Sequence, residues 1–218
     1  MGIYIFKRAI MDTLLHGEFP DATDFGKEIL PNSIANYKVC SYQYEGYWTD
    51  IGNIHSFFEA NLALTQDIPM FNLFDNEKPV YTRSRMLPPC KINGTRFEKT
   101  LIAEGCILHA DSIESSIIGI RSRIGACSKF MNSYIMGNDF YETLEEMNLN
   151  LSKGIPKIGI GENCEITNTI IDKDCRIGDN VIIRGGSHLE NAEAELYTIK
   201  SGIVVVKKGT VLPNGFTL

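Results

Sequence analysis

The stretch ILHADSIESSIIGIRSRIGACSKF, residues 107–130, and its counterpart IGENCEITNTIIDKDCRIGDNVII, residues 160–183, decide the fold. Ile107, Ile113, Ile118, Ile124 and Phe130 stand 6, 5, 6 and 6 residues apart. Ile160, Ile166, Ile171, Ile177 and Ile183 repeat that spacing, displaced by 53 residues. Glycine follows the fourth member of each series, as Gly125 and Gly178, and Val205 and Val211 carry the six-residue step toward the C-terminus. Six matches neither the helical period of 3.6 nor the strand period of 2. It matches a parallel β-helix built of hexapeptide repeats, in which each flat face takes six residues and turns one aliphatic side chain inward. Gly125, Asn163, Gly178 and Asn180 sit near the corners, where left-handed backbone is needed. Coils stacked in this way pair with one another, leaving open edges only at the two ends.

The 53-residue offset is longer than one block, and the surplus falls near residues 139–154. Phe140, Leu144, Met147 and Leu151 have helical spacing, and Gly154 with Pro156 supplies a stop, so a helical insertion leaves the solenoid there. Residues 1–75 read differently. Strand patterns at Gly2–Phe6 and Val39–Tyr44 mix with helical patterns at Ile10–Leu15, Asp24–Ile34 (interrupted at Pro31) and Ile54–Leu64, which is an α/β arrangement. Residues 76–90, with Pro79, Pro88 and Pro89, form a connector, and 91–218 form the solenoid.

Composition removes several function classes. Twenty-one basic against 27 acidic side chains give a net charge of −6 with no basic run, which argues against a nucleic-acid surface. No stretch approaches the roughly 18 apolar residues of a membrane span, and the N-terminus lacks a signal peptide's basic head and cleavage site. Six scattered cysteines without a C-x-x-C pair suggest buried, reduced thiols in the cytoplasm, and four scattered histidines make no metal cluster with them. Asp24-Phe25-Gly26 spells the kinase D-F-G, but the chain has neither an H-R-D loop nor a glycine-rich ATP loop.

The segment Tyr47-Trp48-Thr49-Asp50-Ile51-Gly52 sets a carboxylate between an aromatic and a glycine just before a helix. Asp50 therefore reads either as that helix's cap or as a Mg²⁺ ligand, since Mg²⁺ takes one or two carboxylates together with phosphate oxygens and waters. Further segments occur in order: Met1-Gly2-Ile3-Tyr4, Asp24 to Pro31, Phe57 to Leu62, Pro79 to Pro89, Gly119 to Ile124, and Ser201-Gly202-Ile203-Val204. Together they resemble the glucose-1-phosphate adenylyltransferases along the whole chain. The resemblance implies a Rossmann-like α/β nucleotidyltransferase domain followed by a left-handed parallel β-helix, and an enzyme making ADP-glucose and pyrophosphate from ATP and glucose 1-phosphate with Mg²⁺. It implies Asp50 as a metal ligand and catalytic residue, Gly2 and Tyr4 beside the sugar-phosphate site, and Trp48 next to the metal. It also implies Arg83, Arg85, Lys207 and Lys208 as ligands of an anionic effector, and a homo-oligomer assembled through the β-helix.

The family's G-G-x-G-T-R-L phosphate loop, its first metal aspartate and its Glu-Lys-Pro segment have no counterpart here, and Met1 matches a methionine internal to the family's sequence. The expectation is a C-terminal portion of the enzyme, inactive alone, whose first 75 residues hold apolar strands without their sheet partners. Two other readings stand beside it: a non-catalytic regulatory or assembly module, and a hexapeptide acyltransferase using His109 or His188 as base.

Overall fold

The computed structural model describes residues 2–218, which divide into two compact units, one ending at Gly46 and the other spanning Tyr47–Leu218. The first unit is helical. Helix α1 (Arg8–Thr13) runs into a wider turn at Leu14–Glu18, and a second wide turn, Phe25–Ile29, runs into α2 (Leu30–Ser33). Asp24 starts this second pair, its carboxylate accepting the backbone N–H of Gly26 at 2.8 Å and Lys27 at 2.9 Å. Pro31 does not end this helical stretch; it stands where the wide turn Phe25–Ile29 passes into α2. Leu14 and Ile29 are the buried apolar residues of this unit. The expected strands at Gly2–Phe6 and Val39–Tyr44 form no ladder, and Ile5 and Tyr42 are 97% and 88% exposed. A strand pattern becomes a strand only when another backbone supplies its hydrogen bonds, and none does so here.

In the second unit α3 (Ile54–Leu62) continues into a tighter turn at Ala63–Thr65, and residues 66–90 hold no regular element. The solenoid follows as three parallel ladders. The first face stacks Lys91–Ile92, Ile107–Leu108, Arg123–Ile124, Gly159–Ile160, Arg176–Ile177 and Val211–Leu212. On the second lie Arg96–Glu98, Ser112–Glu114, the first halves of Lys129–Ile135 and Glu165–Ile171, and Ile182–Arg184. The third carries Leu101–Ile102, Ile117–Ile118, the second halves of the same two long strands, and Ile203–Val206.

Columns of buried side chains fill the interior: Leu108, Ile124, Ile160, Ile177 and Leu212 from the first face, Ile113, Phe130, Ile166 and Ile183 from the second, and Ile118, Ile135, Ile171 and Val206 from the third. The six-residue reading therefore holds for most of the column but slips by one residue at both ends. Leu108 rather than Ile107 points inward, and Val206 and Leu212 rather than Val205 and Val211. Side chains alternate along a strand, so a one-residue slip exchanges core for surface. The 53-residue offset spans two coils, one plain (Ile160 to Ile177) and one carrying an insertion (Ile124 to Ile160).

That insertion contains α4 (Leu144–Ser152), opened by a capping box in which Thr143 and Glu146 satisfy each other's backbone N–H. A second excursion, invisible to the periodicity, is the antiparallel pair Ala192–Glu193 and Tyr197–Lys200, the latter also antiparallel to Ile203–Val206. Outward-facing apolar residues on the third face are explained by α3: Phe58 packs with Ile170 and Ile203, and Phe57 stacks on Tyr134 at 5.7 Å between ring centroids.

The corners correct the role given to two glycines. Asn163 and Asn180 have φ of +54° and +59°, as expected, and non-glycine residues such as Arg121, Cys127 and Asp174 share that backbone region. Gly125 and Gly178 do not. They are needed for close approach: a Cβ on Gly125 would lie 2.5 Å from Gly161 O, and one on Gly161 would lie 2.5 Å from Gly178 O. Since both neighbours are backbone of the next coil, Gly161→Ala is expected to destabilise by about 2 kcal/mol through overpacking, measured as a lower urea midpoint for the solenoid. Buried hydroxyls also join coils, Ser116 Oγ accepting Ser133 N–H and Ser128 Oγ accepting Cys164 N–H, both at 3.0 Å. All six cysteines are free. Cys106, Cys164 and Cys175 are buried as expected, and burial pushes the Cys106 thiol up to about 12 and that of Cys175 to about 11. Cys40 and Cys127 are exposed, which corrects the expectation of uniformly buried thiols.

Candidate functional site

Asp50 lies in the irregular segment ahead of α3. It does not cap that helix: Asn53 does, accepting Ser56 N–H at 2.9 Å. The carboxylate folds back over Gly52, both oxygens 3.4 Å from where a Cβ on that glycine would sit. Asp50 is exposed, and Trp48 beside it is 53% exposed, so this tryptophan is no core residue of the unit. Tyr47 is held by stacking on Phe71 at 5.9 Å. Among the described residues no group of three His, Cys, Asp or Glu converges on a point that could hold a metal ion. One exposed carboxylate does not fit a Mg²⁺ site by itself, because the ion's remaining coordination must come from other oxygens. In the first unit Tyr4 stacks on Phe25 at 6.2 Å, and the space around Gly2 is open, with nothing within 4 Å of where a Cβ would stand.

The basic residues expected to hold an anion separate into three environments. Arg83 and Arg85 are exposed in the irregular segment before the first coil, and among the described residues they form no ion pair. Lys207 ties down the second excursion, its Nζ donating to Ala194 O at 2.6 Å and pairing with Glu193 at 2.8 Å. Lys208, the next residue along the strand end, reaches a different group: its Nζ is 3.4 Å from Asp139 Oδ2 and 3.8 Å from Asp174 Oδ2.

A further lysine, which the sequence alone does not single out, completes that cluster. Lys173 belongs to the coil beneath Lys208, where Gly209 N–H donates to Lys173 O at 2.9 Å, and its Nζ lies 2.6 Å from Asp139 Oδ1. Two ammonium groups 35 residues apart thus meet on one carboxylate. The hydrogen bond from Lys173 holds the Asp139 carboxyl below the usual carboxylate range, and the bond to Asp139 holds the Lys208 ammonium above the usual lysine range. The arginines are not brought to this point. Leu87, two residues beyond Arg85, packs at the Gly105 corner. That corner continues through Arg121, Gly137 and Asp174 to Gly209, four coils on, or roughly 19 Å at the ordinary spacing between strands.

A groove of about 580 Å³ lies along the solenoid's first face, and its lining includes His109, Arg123, Lys157, Glu162 and Asp179. His109 opens onto it, but among the described residues neither His109 nor His188 hydrogen-bonds a carboxylate that would orient an imidazole as a base.

A family model described as the GLGC left-handed parallel beta-helix domain matches residues 85–217. The chain belongs to that family. The GLGC-type solenoid is therefore left-handed, in keeping with its columns of positive-φ corner residues. A second model, nucleotidyl transferase, matches residues 1–67, so a nucleotidyltransferase segment precedes the solenoid, in the order implied by the resemblance to glucose-1-phosphate adenylyltransferases. Among the described residues no helix is long and apolar enough to cross a membrane.

Proposed function

We propose that this chain is the C-terminal portion of a glucose-1-phosphate adenylyltransferase, an enzyme that joins ATP and glucose 1-phosphate into ADP-glucose and pyrophosphate for glycogen or starch synthesis in the cytoplasm. The observation that supports this reading is the direct succession of a nucleotidyltransferase match over residues 1–67 and the GLGC solenoid over 85–217. In the complete enzyme Asp50 would supply one ligand to Mg²⁺, Gly2, Tyr4 and Trp48 would border the substrates, and homo-oligomers would form through the β-helix. Lys208 would meet an anionic effector, and Arg83 and Arg85 would meet one at a separate point of the chain. Lys173 joins Lys208 on geometric grounds, and Lys207 takes the lesser part because Glu193 and Ala194 already engage it.

This chain alone lacks the means for the reaction. Phosphoryl transfer depends on positioning and charge neutralisation around the phosphates, and Asp50 stands here without a second carboxylate or a glycine-rich phosphate loop. Purified chain given ATP, glucose 1-phosphate and Mg²⁺ is expected to make no ADP-glucose above the protein-free blank. Activity should appear on mixing with a polypeptide that carries the nucleotide loop and the first metal aspartate. ADP-glucose formed by the chain alone would overturn the incompleteness, and none formed by the mixture would overturn the enzyme-fragment reading. A regulatory or assembly module is the second reading, favoured by a solenoid whose coils and buried core are complete without residues 1–46. Stable association with a full-length homologue that alters its effector response, without restoring activity to an inactive partner, would select it.

A further inference from the structure

The first coil of the solenoid is less enclosed than the coils that follow. Lys91–Ile92, Arg96–Glu98 and Leu101–Ile102 each pair with a strand of the second coil and, among the described residues, with no other. Cys90, Phe97 and Ile102 are only partly buried against the core, whereas their counterparts one coil on, Cys106, Ile113 and Ile118, are fully buried. An end coil of this kind opens locally before the rest of the fold. Cys90 and Cys106 stand at the same place in these two coils: the strands they precede pair Lys91 with Ile107, and Lys91 N–H donates to Cys106 O at 2.8 Å. Their side chains converge, since Cys90 Sγ and Cys106 Sγ each lie 3.1 Å from Ala103 O. Neighbouring coils stand about 4.8 Å apart, inside the roughly 4.4–6.8 Å between Cα atoms that a disulfide spans. The other two buried cysteines have different neighbours: Cys164 N–H donates to Ser128 Oγ at 3.0 Å, and Cys175 Sγ donates to Lys207 O at 3.2 Å.

We propose that Cys90 and Cys106 are a redox pair, closing to a disulfide that staples the first coil to the second when the chain meets a peroxide. The proposal depends on no part of the catalytic reading. Cys90 is the thiol that meets the oxidant, because it is partly exposed while Cys106 is enclosed. Its thiolate attacks one peroxide oxygen and the O–O bond breaks, leaving Cys90 as a sulfenic acid. The released hydroxide takes up the proton that Cys90 gave to solvent and departs as water. Cys106 sulfur then attacks Cys90 sulfur, the S–O bond breaks, and the departing hydroxide carries off the Cys106 proton as a second water. The two thiols are oxidised by two electrons, and the peroxide is reduced to two waters. Cys106 suits the second step. Burial pushes its thiol up to about 12, and a charge on Cys90 beside it adds to the rise, so Cys106 stays protonated until Cys90 is a neutral sulfenic acid. A dithiol reductant reverses the bond through the accessible Cys90 sulfur.

The test treats the full chain with hydrogen peroxide after Cys40→Ser and Cys127→Ser have removed the two exposed thiols. The protein is then alkylated and digested with trypsin. A peptide joining residues 86–91 to residues 100–121 is expected, and dithiothreitol should split it. Backbone hydrogen exchange over residues 91–102 should slow about a hundredfold on oxidation, the order expected from closing a loop of about 15 residues. Exchange over residues 176–184, in a distant coil, should not change. Cys90→Ser should give neither the joined peptide nor the slowing, and Cys90→Ala serves the same purpose should the serine protein unfold early. Cys90 left unoxidised, or carried on to sulfinic acid, with no joined peptide would overturn the pairing. So would a joined peptide that forms only in urea. A joined peptide without slowed exchange would overturn the staple, and equal slowing in oxidised Cys90→Ser would assign the effect to another thiol.

Discussion

Truncating Leu108 to alanine is expected to cost about 3 kcal/mol of unfolding free energy, and truncating its neighbour Ile107 less than about 1 kcal/mol. The two residues are adjacent in one short strand and nearly equal in volume. Leu108 is fully buried in the column with Ile124 and Ile160, whereas Ile107 is half-buried and lines the groove on the outer surface. Removing three carbons from inside a solenoid leaves a cavity that neighbouring coils cannot close, because each is held by backbone hydrogen bonds on three faces. Removing them from Ile107 forfeits only part of a solvent-facing contact. Urea unfolding followed by far-ultraviolet circular dichroism checks both variants. Equal losses, or a larger loss for Ile107→Ala, would move the inward frame back by one residue.

Arg176→Ala is expected to destabilise the solenoid by about 3 kcal/mol or more, because it strands a buried carboxylate. The Glu142 side chain is 2% exposed and accepts from Arg176 at 2.7 Å, from Asn150 Nδ2 at 2.7 Å and from Ile158 N–H at 2.6 Å. Arg176 also donates to Pro156 O at 2.8 Å, so one guanidinium fastens both ends of the insertion to the first face. Burial alone would raise the Glu142 carboxyl, but the Ile158 N–H, Arg176 and Asn150 together outweigh it and hold it below the usual carboxylate range. A carboxyl lowered on folding stabilises fully above its unfolded value of about 4.3, and that stability is lost as pH falls through the folded value. The difference between wild type and Arg176→Ala should therefore be large at pH 7 and shrink below about pH 4. The double variant Glu142→Leu with Arg176→Met should regain much of the loss, since an apolar pair carries no desolvation cost. A single variant as stable as wild type at pH 7 would show that the pair does not hold the insertion.

Much of the solenoid was legible in the sequence because a β-helix repeats one local decision. Ile113, Ile118, Ile124 and Phe130 each face inward for the same reason, so their spacing reports the architecture directly. Legibility failed where two apolar residues stand side by side. Ile107-Leu108 and Val205-Val206 offer either member to the core, and the choice depends on the coil stacked against them. The same doubling conceals the docking of α3: Tyr134, Ile170 and Val205 are apolar on the outer side of the third face because a helix covers them. The excursion at Ala192–Lys200 escaped because its strands are short, polar and antiparallel.

The candidate site divides in the same manner. Asp50, Trp48, Arg83, Arg85 and Lys208 stand in recognisable linear motifs, which is why residue order alone could nominate them. Lys173 and Asp139 could not be nominated so, because the contact that matters joins residues 34 and 69 positions apart.

Residue spacing by itself determined that this chain carries a coiled parallel solenoid with a helical insertion, preceded by an α/β pattern whose ordered motifs resemble part of a nucleotidyltransferase domain. Those properties follow from periodicity and motif order, which are local and cumulative. Tertiary structure decided which residue of each apolar pair faces the core, and that Lys173, Lys208 and Asp139 form one cluster. Each of these turns on a neighbour supplied by another coil or another element, and an interaction between distant positions leaves no spacing in the chain from which to read it.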